Sequence, residues 1–306
     1  MRAVAFSVGT SSPPTTKEGS DVANIHPTAI VDPRAEIAAD VTIGPFCVIE
    51  SDVVIEAGCQ LASHVVVKSG THLGPQNVLA EGTVIGGRPQ HVHAAPLAGR
   101  LVVGRGNTIR EHTTIHTGLH EGACTIVGNH NFIMVNAHIA HDCVVGDNTI
   151  IANNAMIAGH VTIGNRAYIS GAVGIHQFCR IGQFTMVGGQ AHITRDVPPF
   201  ITVDGLTTEV VGLNRVGLQR NGFTEADLQQ LKAAYRVIYR SNLSWLEVLA
   251  TLERDFSTGP AAAFLAFLSQ GERGFVQERR ARRSTLRIFP SDPAKQAAHR
   301  AVRTAV

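Results

Sequence analysis

The chain has 306 residues, of which 44% are hydrophobic, 5% aromatic and 16% charged. The hydrophobic fraction suffices for a sizeable core and excludes a disordered chain, while the low charge content argues against a coiled coil. No apolar run reaches the length of about 18 residues that spans a membrane, and the polar N-terminal segment does not predict a signal peptide. We therefore expect a cytoplasmic protein with no integral membrane segment.

The net charge of +2 is distributed unevenly along the chain. From Glu278 to Val306, eight Lys or Arg residues stand against two acids, so the preceding body is acidic and the tail is basic. A basic tail can bind nucleic acid or anionic lipid. We favour a solvated extension and predict no nucleic-acid partner.

An aliphatic residue recurs at every sixth position over most of the first two thirds of the chain. The register runs from Ile25 to Ile85, resumes from Val103 to Ile115, and continues from Val127 to Ile193. A second column of small or β-branched residues begins at Ala29, four positions after the first. A period of six fits neither a helix nor a simple strand. It predicts short strands joined by sharp corners, three to a coil, which form a prism of parallel sheets around the aliphatic column.

Breaks in this register predict the remaining organisation. Capping-box patterns begin at Thr224 and Ser244, and Pro260 opens an Ala-rich segment, so three helices are expected after the prism. The predicted parts are a flexible extension (1–24), the prism (25–199) with loops near 86–102 and 117–126, a helical domain (200–277) and the basic tail (278–306).

Histidines that could take part in catalysis lie near one line along the prism. Since three six-residue units make a coil, His141, His160 and His176 fall on successive coils. An imidazole can accept a proton at neutral pH, and the adjacent Asp142 could orient such a ring. No activated Ser or Cys nucleophile pattern accompanies them, which favours direct transfer assisted by a general base.

Zinc binding is the alternative role for the histidines, because His138 with His141, or His116 with His120, could chelate a metal ion. The helical domain argues against a metal-dependent hydration enzyme, and we predict no metal site. The sequence contains no CxxC pair, so four cysteines of the second column are interpreted as small apolar fillers: Cys47, Cys59, Cys143 and Cys179.

Several segments together resemble a known family. They are Asn136–Cys143, Ala158–Val161, His176–Cys179, Met186–Gly189 and Asp196–Pro199, and the likeness extends over about residues 25–277. The chain resembles the acyl-[acyl-carrier-protein]–UDP-N-acetylglucosamine O-acyltransferases of lipid A biosynthesis, which are hexapeptide-repeat proteins. The resemblance implies an all-β left-handed parallel β-helix followed by a small α-helical domain. It also implies a homotrimer with sites between neighbouring prisms.

The same resemblance implies a reaction. A 3-hydroxyacyl chain would pass from the 4'-phosphopantetheine of acyl carrier protein to the 3-hydroxyl of UDP-N-acetylglucosamine, with no bound cofactor. His141 would act as general base, Asp142 would support it, and the Gly159 N–H would stabilise the oxyanion. The residues implied to hold the substrates are Gln90, His138, His160, His176, Gln177, Gly189, Asn214 and Arg220.

The chain departs from the family's pattern in the nucleotide-sugar site. An acid and a Lys of the first loop are replaced by His91 and His93, and an acid and an Arg of the helical domain by Val216 and Asn221. Two interpretations stay open: compensating contacts in a divergent lineage, or a changed acceptor such as a 3-amino sugar nucleotide.

Lys232, Arg236 and Arg240 lie at four-residue spacing and form a basic stripe on one helix. A solvated face would explain the stripe, but an acidic carrier protein needs such a patch, and we predict docking there. Two further function classes remain as alternatives: an acetyl-CoA-dependent sugar acetyltransferase and a non-catalytic β-helix scaffold.

Overall fold

A computed structural model describes residues 23–92, 94 and 99–279. Within them, 26 short parallel strands wind into a left-handed β-helix with three flat faces, and two further strands and four helices follow. Most strands have only two residues, because each face must turn a corner before a longer strand can form.

The first face consists of β1 (Asn24–Ile25), β4 (Thr42–Ile43), β7 (Gln60–Leu61), β10 (Val78–Leu79), β13 (Thr108–Ile109), β16 (Phe132–Ile133), β19 (Ile150–Ile151), β22 (Tyr168–Ile169), β25 (Met186–Val187), β27 (Ile201–Val203) and β28 (Val210–Leu213). The second face consists of β2 (Ile30–Val31), β5 (Val48–Ile49), β8 (Val66–Val67), β11 (Val84–Gly87), β14 (Thr114–His116), β17 (His138–Ile139), β20 (Met156–Ile157), β23 (Gly174–Ile175) and β26 (His192–Ile193). The third face consists of β3 (Glu36–Ile37), β6 (Val54–Ile55), β9 (Thr71–Leu73), β12 (Arg100–Val103), β15 (Cys124–Val127), β18 (Val144–Val145), β21 (Thr162–Ile163) and β24 (Arg180–Ile181).

Three edges join these faces, and most corners contain one residue in the left-handed backbone region. We name the edges by the faces they join. Such residues include Asn136, Asn154, Ala172 and Gln190 at edge 1–2, Asp142, His160 and Phe178 at edge 2–3, and Asn148, Arg166 and Phe184 at edge 3–1. Because the coils stack in register, residues of one edge form a vertical column.

The predicted aliphatic column fills the axis of the prism. From Ile43 to Ile193 its members are at most 2% exposed, which confirms the inward direction read from the sequence. Ile25 is 38% exposed, because it lies in the first strand, where no preceding coil covers it. The four cysteines of the second column are fully buried, as expected of apolar fillers.

A ladder of buried polar side chains interrupts the second column. Asn77, Asn107 and Asn131 are at most 2% exposed. The Asn77 Oδ1 accepts the N–H of Asn107 at 2.9 Å, and the Asn107 Oδ1 accepts the N–H of Asn131 at 2.8 Å. The Asn131 Oδ1 in turn accepts the N–H of Thr149 at 2.7 Å. Each side chain therefore satisfies a backbone donor of the next coil.

Both predicted loops are shorter than expected. β11 extends to Gly87 and β12 begins at Arg100, while β14 extends to His116 and β15 begins at Cys124. The reason is strand pairing: Arg100 is opposite Cys124 and Gly87 is opposite His116. Both excursions therefore leave the prism at edge 2–3, the first after Gly87 and the second after His116, and the chain rejoins it at Arg100 and Cys124.

The region from residue 200 does not begin with helices, which corrects the predicted helical domain. β27 continues the first face by pairing with β25, and β28 returns antiparallel to β27. The six-residue pattern ends at Pro199, but the next residues still form strands because they can pair with the existing edge of the first face. The helices follow: α1 (Arg215–Arg220), α2 (Glu225–Arg240), α3 (Trp245–Asp255) and α4 (Ala262–Leu268).

Capping boxes start the two longest helices, as the sequence predicts. The side chains of Thr224 and Asp227 cap α2, and those of Ser244 and Glu247 cap α3. The helices pack against the end of the prism, where the Phe200 ring lies 5.5 Å from that of Phe264 in α4. This contact extends the core of the prism into the helical region.

Among the described residues, no helix is both long enough and apolar enough to cross a membrane. Most of the predicted N-terminal extension and basic tail lies outside the described residues. Of the tail, Glu278 and Arg279 are described, and Glu278 pairs with Arg240 of α2 at 2.7 Å.

Candidate active site

His141 and Asp142 form a fixed pair in the edge 2–3 corner that follows β17. The His141 Nδ1 donates to the Asp142 Oδ2 at 2.7 Å, which leaves the lone pair on Nε2. The same carboxylate oxygen accepts the Leu119 N–H at 3.1 Å, and the Asp142 N–H donates to the Thr125 Oγ1 at 2.8 Å. The sequence predicts the pair, but it missed Leu119 and Thr125, which hold it in place from the neighbouring coil.

Gly159 occupies the next coil directly against the His141 ring. A Cβ at this position would lie 2.6 Å from Cε1 and 2.7 Å from Nε2 of His141, so any side chain here would displace the imidazole. Over the described residues, no acceptor pairs with the Gly159 N–H. The backbone of Gly159 therefore lies against the His141 ring, close to Nε2.

His160 lies on the other side of the pair. Its ring is edge-on to that of His141, with centroids 5.0 Å apart, and its Nε2 is 3.8 Å from the Asp142 Oδ2. The ring of Phe178, one coil further, stacks on His160 at 4.6 Å. Burial is the main cause that lowers the pKa of His160. Of the three histidines on the predicted line, His141 and His160 thus pack against each other, and the ring that follows them is Phe178.

Two further histidines line the second face beside this corner. The His138 Nδ1 lies 2.8 Å from the Thr114 Oγ1, and its ring is 4.8 Å from that of His116. Burial lowers the pKa of His138. Burial, followed by the nearby His138 and His141, lowers the pKa of His116 to about 4. His116 was predicted only as an alternative zinc ligand, because the register alone did not place it beside the pair.

The first loop adds His91 to the site. Its ring is edge-on to that of His141, with centroids 5.8 Å apart. Gln90, the predicted substrate contact, is exposed in the same loop, and His93 lies outside the described residues.

His176 and Gln177 are exposed in the edge 2–3 corner one coil below His160. The His176 Nδ1 is 3.2 Å from the Gln177 carbonyl oxygen, which also accepts a hydrogen bond from Arg273 at 3.0 Å. Both side chains therefore face solvent on the same edge as His141.

The other predicted substrate contacts lie on different edges of the prism. Gly189 belongs to edge 1–2. Asn214 and α1, which ends at Arg220, lie at edge 3–1, where the Asn214 side chain caps α1 and donates to the Phe184 carbonyl. One protomer therefore does not bring Gly189, Asn214 or Arg220 to His141.

A cation at edge 3–1 escaped the sequence analysis. The Arg166 guanidinium donates to the Asn221 Oδ1 at 2.6 Å, and Asn221 directly follows Arg220. Arg166 and Arg220 are both exposed. No sequence signal marked Arg166, because the left-handed corner positions of this prism accept Phe, His, Gln and Ala as well as Asn.

The predicted docking residues line a cavity of about 170 Å³ beside β28. Lys232 and Arg236 are exposed there with Arg215. Arg240 is also exposed, but its guanidinium binds Glu278, which raises the pKa of Arg240 and lowers that of Glu278. The stripe therefore offers two cations and one ion pair.

Burial raises the pKa of Cys143 to about 12 and that of Cys179 to about 11. Both thiols are therefore protonated at neutral pH, and neither is a nucleophile. This agrees with their predicted role as fillers.

Models of two families match the chain. They are "Bacterial transferase hexapeptide (six repeats)" over residues 124–159 and "Udp N-acetylglucosamine O-acyltransferase; Domain 2" over residues 196–276. The acyl-[acyl-carrier-protein]–UDP-N-acetylglucosamine O-acyltransferase of Paraburkholderia phymatum is 42% identical over 262 residues, which cover 84% of this chain and 100% of that relative. The chain belongs to this family. It is an acyltransferase with the hexapeptide-repeat β-helix that the sequence predicted.

Other relatives agree. The O-acyltransferase of Paraburkholderia xenovorans is 44% identical over 84% of this chain and 100% of its own length. Among solved structures, LpxA from Acinetobacter baumannii matches with a TM-score of 0.80 and 41% identity over 83% of this chain and 99% of that one. LpxA from Bacteroides fragilis matches with a TM-score of 0.80 and 33% identity over 83% and 100%.

Proposed function

We propose that this acyltransferase moves a 3-hydroxyacyl group from acyl carrier protein to the 3-hydroxyl of UDP-N-acetylglucosamine, in the cytoplasm, as the first step of lipid A biosynthesis. The observation that carries the proposal is the His141–Asp142 pair, whose free Nε2 lies against Gly159. The relatives named above bear this activity in their names.

His141 is the general base in this mechanism. Its Nε2 takes the proton of the sugar 3-hydroxyl as that oxygen attacks the thioester carbonyl carbon. Asp142 fixes the ring and stabilises the imidazolium that forms. When the C–S bond breaks, the phosphopantetheine thiolate takes the proton back from Nε2, so the enzyme returns to its starting state.

Gly159 supplies the oxyanion donor. The tetrahedral intermediate carries its negative charge on the former carbonyl oxygen, next to the attacked carbon. Because Gly159 lies beside the His141 Nε2, its N–H can donate to that oxygen while Nε2 holds the proton. No covalent acyl-enzyme is needed, in keeping with the protonated Cys143 and Cys179 thiols.

The remaining substrate contacts can be assigned by the prism edge on which each residue lies. Gln90, His138, His160, His176 and Gln177 lie on or near edge 2–3 and would hold the sugar and the polar start of the acyl chain. Gly189 would leave room in the acyl groove, and Arg220, with Asn214, would contact the diphosphate.

A homotrimer would unite the separate edges. Within one protomer, His141 lies at edge 2–3, Gly189 at edge 1–2 and Arg220 at the end of α1 beside edge 3–1. A neighbouring prism whose other edges face edge 2–3 would complete the site. Cyclic symmetry would then produce equivalent sites between neighbouring protomers.

Acyl carrier protein would dock on the stripe of α2. Lys232 and Arg236 are exposed and would pair with carboxylates of an acidic carrier, while Arg240 would hold Glu278. This proposal predicts that Lys232 and Arg236 affect the KM for the carrier more than kcat.

Acyl transfer with purified protein tests the function. The donors are 3-hydroxyacyl carrier proteins of several chain lengths, and the acceptors are UDP-N-acetylglucosamine and its 3-amino analogue, since Val216 and Asn221 depart from the family's pattern. We expect an O-acylated product. Transfer to the amino analogue alone would keep the mechanism and change the acceptor, and transfer to neither would contradict the proposal.

The general base is tested by His141→Ala. The His141 Nε2 lies beside the Gly159 donor and is the proposed proton acceptor, so we expect transfer to fall at least about 1,000-fold with an unchanged thermal midpoint. His192→Ala, an exposed strand position in β26, is the control and should retain activity. An active His141→Ala enzyme would show that another group is the base.

A further inference from the structure

The active-site corner also has the geometry of a metal-binding site. Donor atoms of His141, Asp142 and His160 all lie within 4.8 Å of one another, and this is the one such trio among the residues that the structure describes. Their side chains are 9%, 14% and 36% exposed, so an ion can reach them from solvent.

The spacings of these donors bracket those of a tetrahedral complex. Zinc binds imidazole nitrogen and carboxylate oxygen at about 2.0–2.2 Å, which separates neighbouring donors by about 3.4 Å. The Asp142 Oδ2 lies 2.7 Å from the His141 Nδ1 and 3.8 Å from the His160 Nε2. Shifts of well under 1 Å would therefore bring both pairs to the spacing of a bound ion.

His91 can extend this set. Its ring lies edge-on to that of His141, with centroids 5.8 Å apart, which places it beside the same corner. Three imidazoles and one carboxylate form a donor set that suits zinc far better than magnesium or calcium.

Contrary to the expectation of no metal site from the sequence, we propose that His141, Asp142 and His160 bind a divalent transition-metal ion of the zinc type, with His91 as a supporting ligand, and that the bound ion inhibits the enzyme reversibly. The inhibition follows because the His141 imidazole cannot act as the base while it ligates the ion. Nor can the Asp142 carboxylate support that base while it also binds the ion. The binding goes beyond the proposed function, whereas the inhibition rests on it.

Direct metal titration tests the binding without reference to transfer. The full chain, freed of metal with a chelator, is titrated with Zn²⁺ in competition with a chromophoric indicator near pH 7.5. We expect one ion per chain. His160→Asn, which keeps a residue tolerant of the left-handed backbone, should weaken the affinity at least 100-fold. His91→Asn should weaken it about 10-fold, as supporting groups do.

The control is His192→Ala, which removes an exposed histidine of β26 and should bind as the parent chain does. A parent chain that binds no zinc, or a His160→Asn chain that binds as tightly as the parent, would overturn the site. Circular dichroism of each variant separates loss of a ligand from loss of the fold.

Inhibition is measured in the transfer assay. Zn²⁺ should stop transfer in the parent chain, a chelator should restore it, and His91→Asn should need about 10-fold more Zn²⁺ for the same effect. Binding without inhibition would refute the second half of the proposal. If no transfer is found under any condition, the titration still decides the metal site and only the proposed function fails.

Discussion

The active-site corner depends on the space that a missing side chain provides as much as on the groups that its residues supply. Gly159 provides no side chain, and for that reason the His141 ring can lie flat against the backbone of the next coil. Leu119 contributes its backbone N–H, which holds the Asp142 carboxylate. Small changes at these positions should therefore act on chemistry before they act on folding.

Gly159→Ala should reduce transfer without unfolding the protein. The new Cβ would displace the His141 imidazole by roughly 1 Å, and such a misplacement costs about 100-fold in rate. We expect kcat to fall by about this factor with a near-native thermal midpoint, measured by transfer kinetics and circular dichroism.

Gly171→Ala is the matched control, because Gly171 occupies the equivalent corner position at edge 1–2. Its Cβ would meet only the Asn153 carbonyl oxygen at 3.4 Å, an ordinary contact. Equal losses in the two variants would mean that Gly159 acts through the fold and not through His141.

His116 should make folding stability depend on pH. Its pKa is about 4 in the folded chain and near 6.5 when unfolded, so the unfolded chain takes up a proton first as the pH falls. The stabilisation is complete above pH 6.5 and is lost progressively towards pH 4. This corresponds to about 2 kcal/mol between pH 7.5 and pH 5.

Urea unfolding at both pH values measures this effect. His116→Asn removes the titrating group and should lose about 2 kcal/mol less than the parent chain on acidification. The same pH dependence in both proteins would assign the effect to other groups.

The sequence predicts single residues of the corner unevenly. The family motif identified His141, Asp142 and Gly159, because they are adjacent to one another along the chain or follow at one-coil spacing. Leu119 and His91 belong to loops whose path no repeat dictates. Their place beside the pair could be seen only once the loops were folded.

At the scale of elements, the prism is a stack of two-residue strands held by repetition. Each strand alone is too short to be stable. Stability comes from the aliphatic axis and from pairing along each face, which the period of six predicts well. The asparagine ladder was not predicted, since Asn77, Asn107 and Asn131 fall in a column otherwise occupied by small or β-branched residues.

Asn107→Ala should destabilise the protein more than its size suggests. The change removes the acceptor of the buried Asn131 N–H, and a buried unsatisfied donor costs about 1–3 kcal/mol. Chemical denaturation would measure the loss. Gln60→Ala, an exposed position of β7, should change the stability by less than about 0.5 kcal/mol. A neutral Asn107→Ala variant would contradict the role of the ladder.

The hairpin of β27 and β28 is the element that the sequence did not predict. The end of the six-residue pattern indicated a new domain, and the capping residues located α2 and α3 correctly. The strands that pair with the last coil carry no period of their own. They form because the first face offers an unpaired edge, a property of the folded neighbour.

At the scale of the whole molecule, the functional residues are divided among three edges of one prism. His141 lies at edge 2–3, and Arg220 closes the helix at edge 3–1. A rigid prism cannot bend to bring two edges together. The proposed activity therefore requires that copies of the chain meet.

Complementation between inactive variants tests this division. His141→Ala and Arg220→Ala should each be inactive alone. A mixed trimer that contains both variants should regain about a third of the parent activity, because one of its three sites draws an intact residue from each of two chains. Co-expression with two affinity tags isolates the mixed species. No recovery in verified mixed oligomers would place both residues in one protomer's site.

The stacking of coils also fixes heights along the molecule in discrete steps. Parallel strands repeat at about 4.8 Å, so the active-site corner and the helices are separated by a whole number of such steps. Deletion or insertion of one complete coil would keep every residue on its own edge and change only this height. The distance between the helices and the active-site corner, which a carrier-bound chain must span, therefore changes only in steps of one coil. Evolution could adjust it only by whole coils or through the side chains along that path.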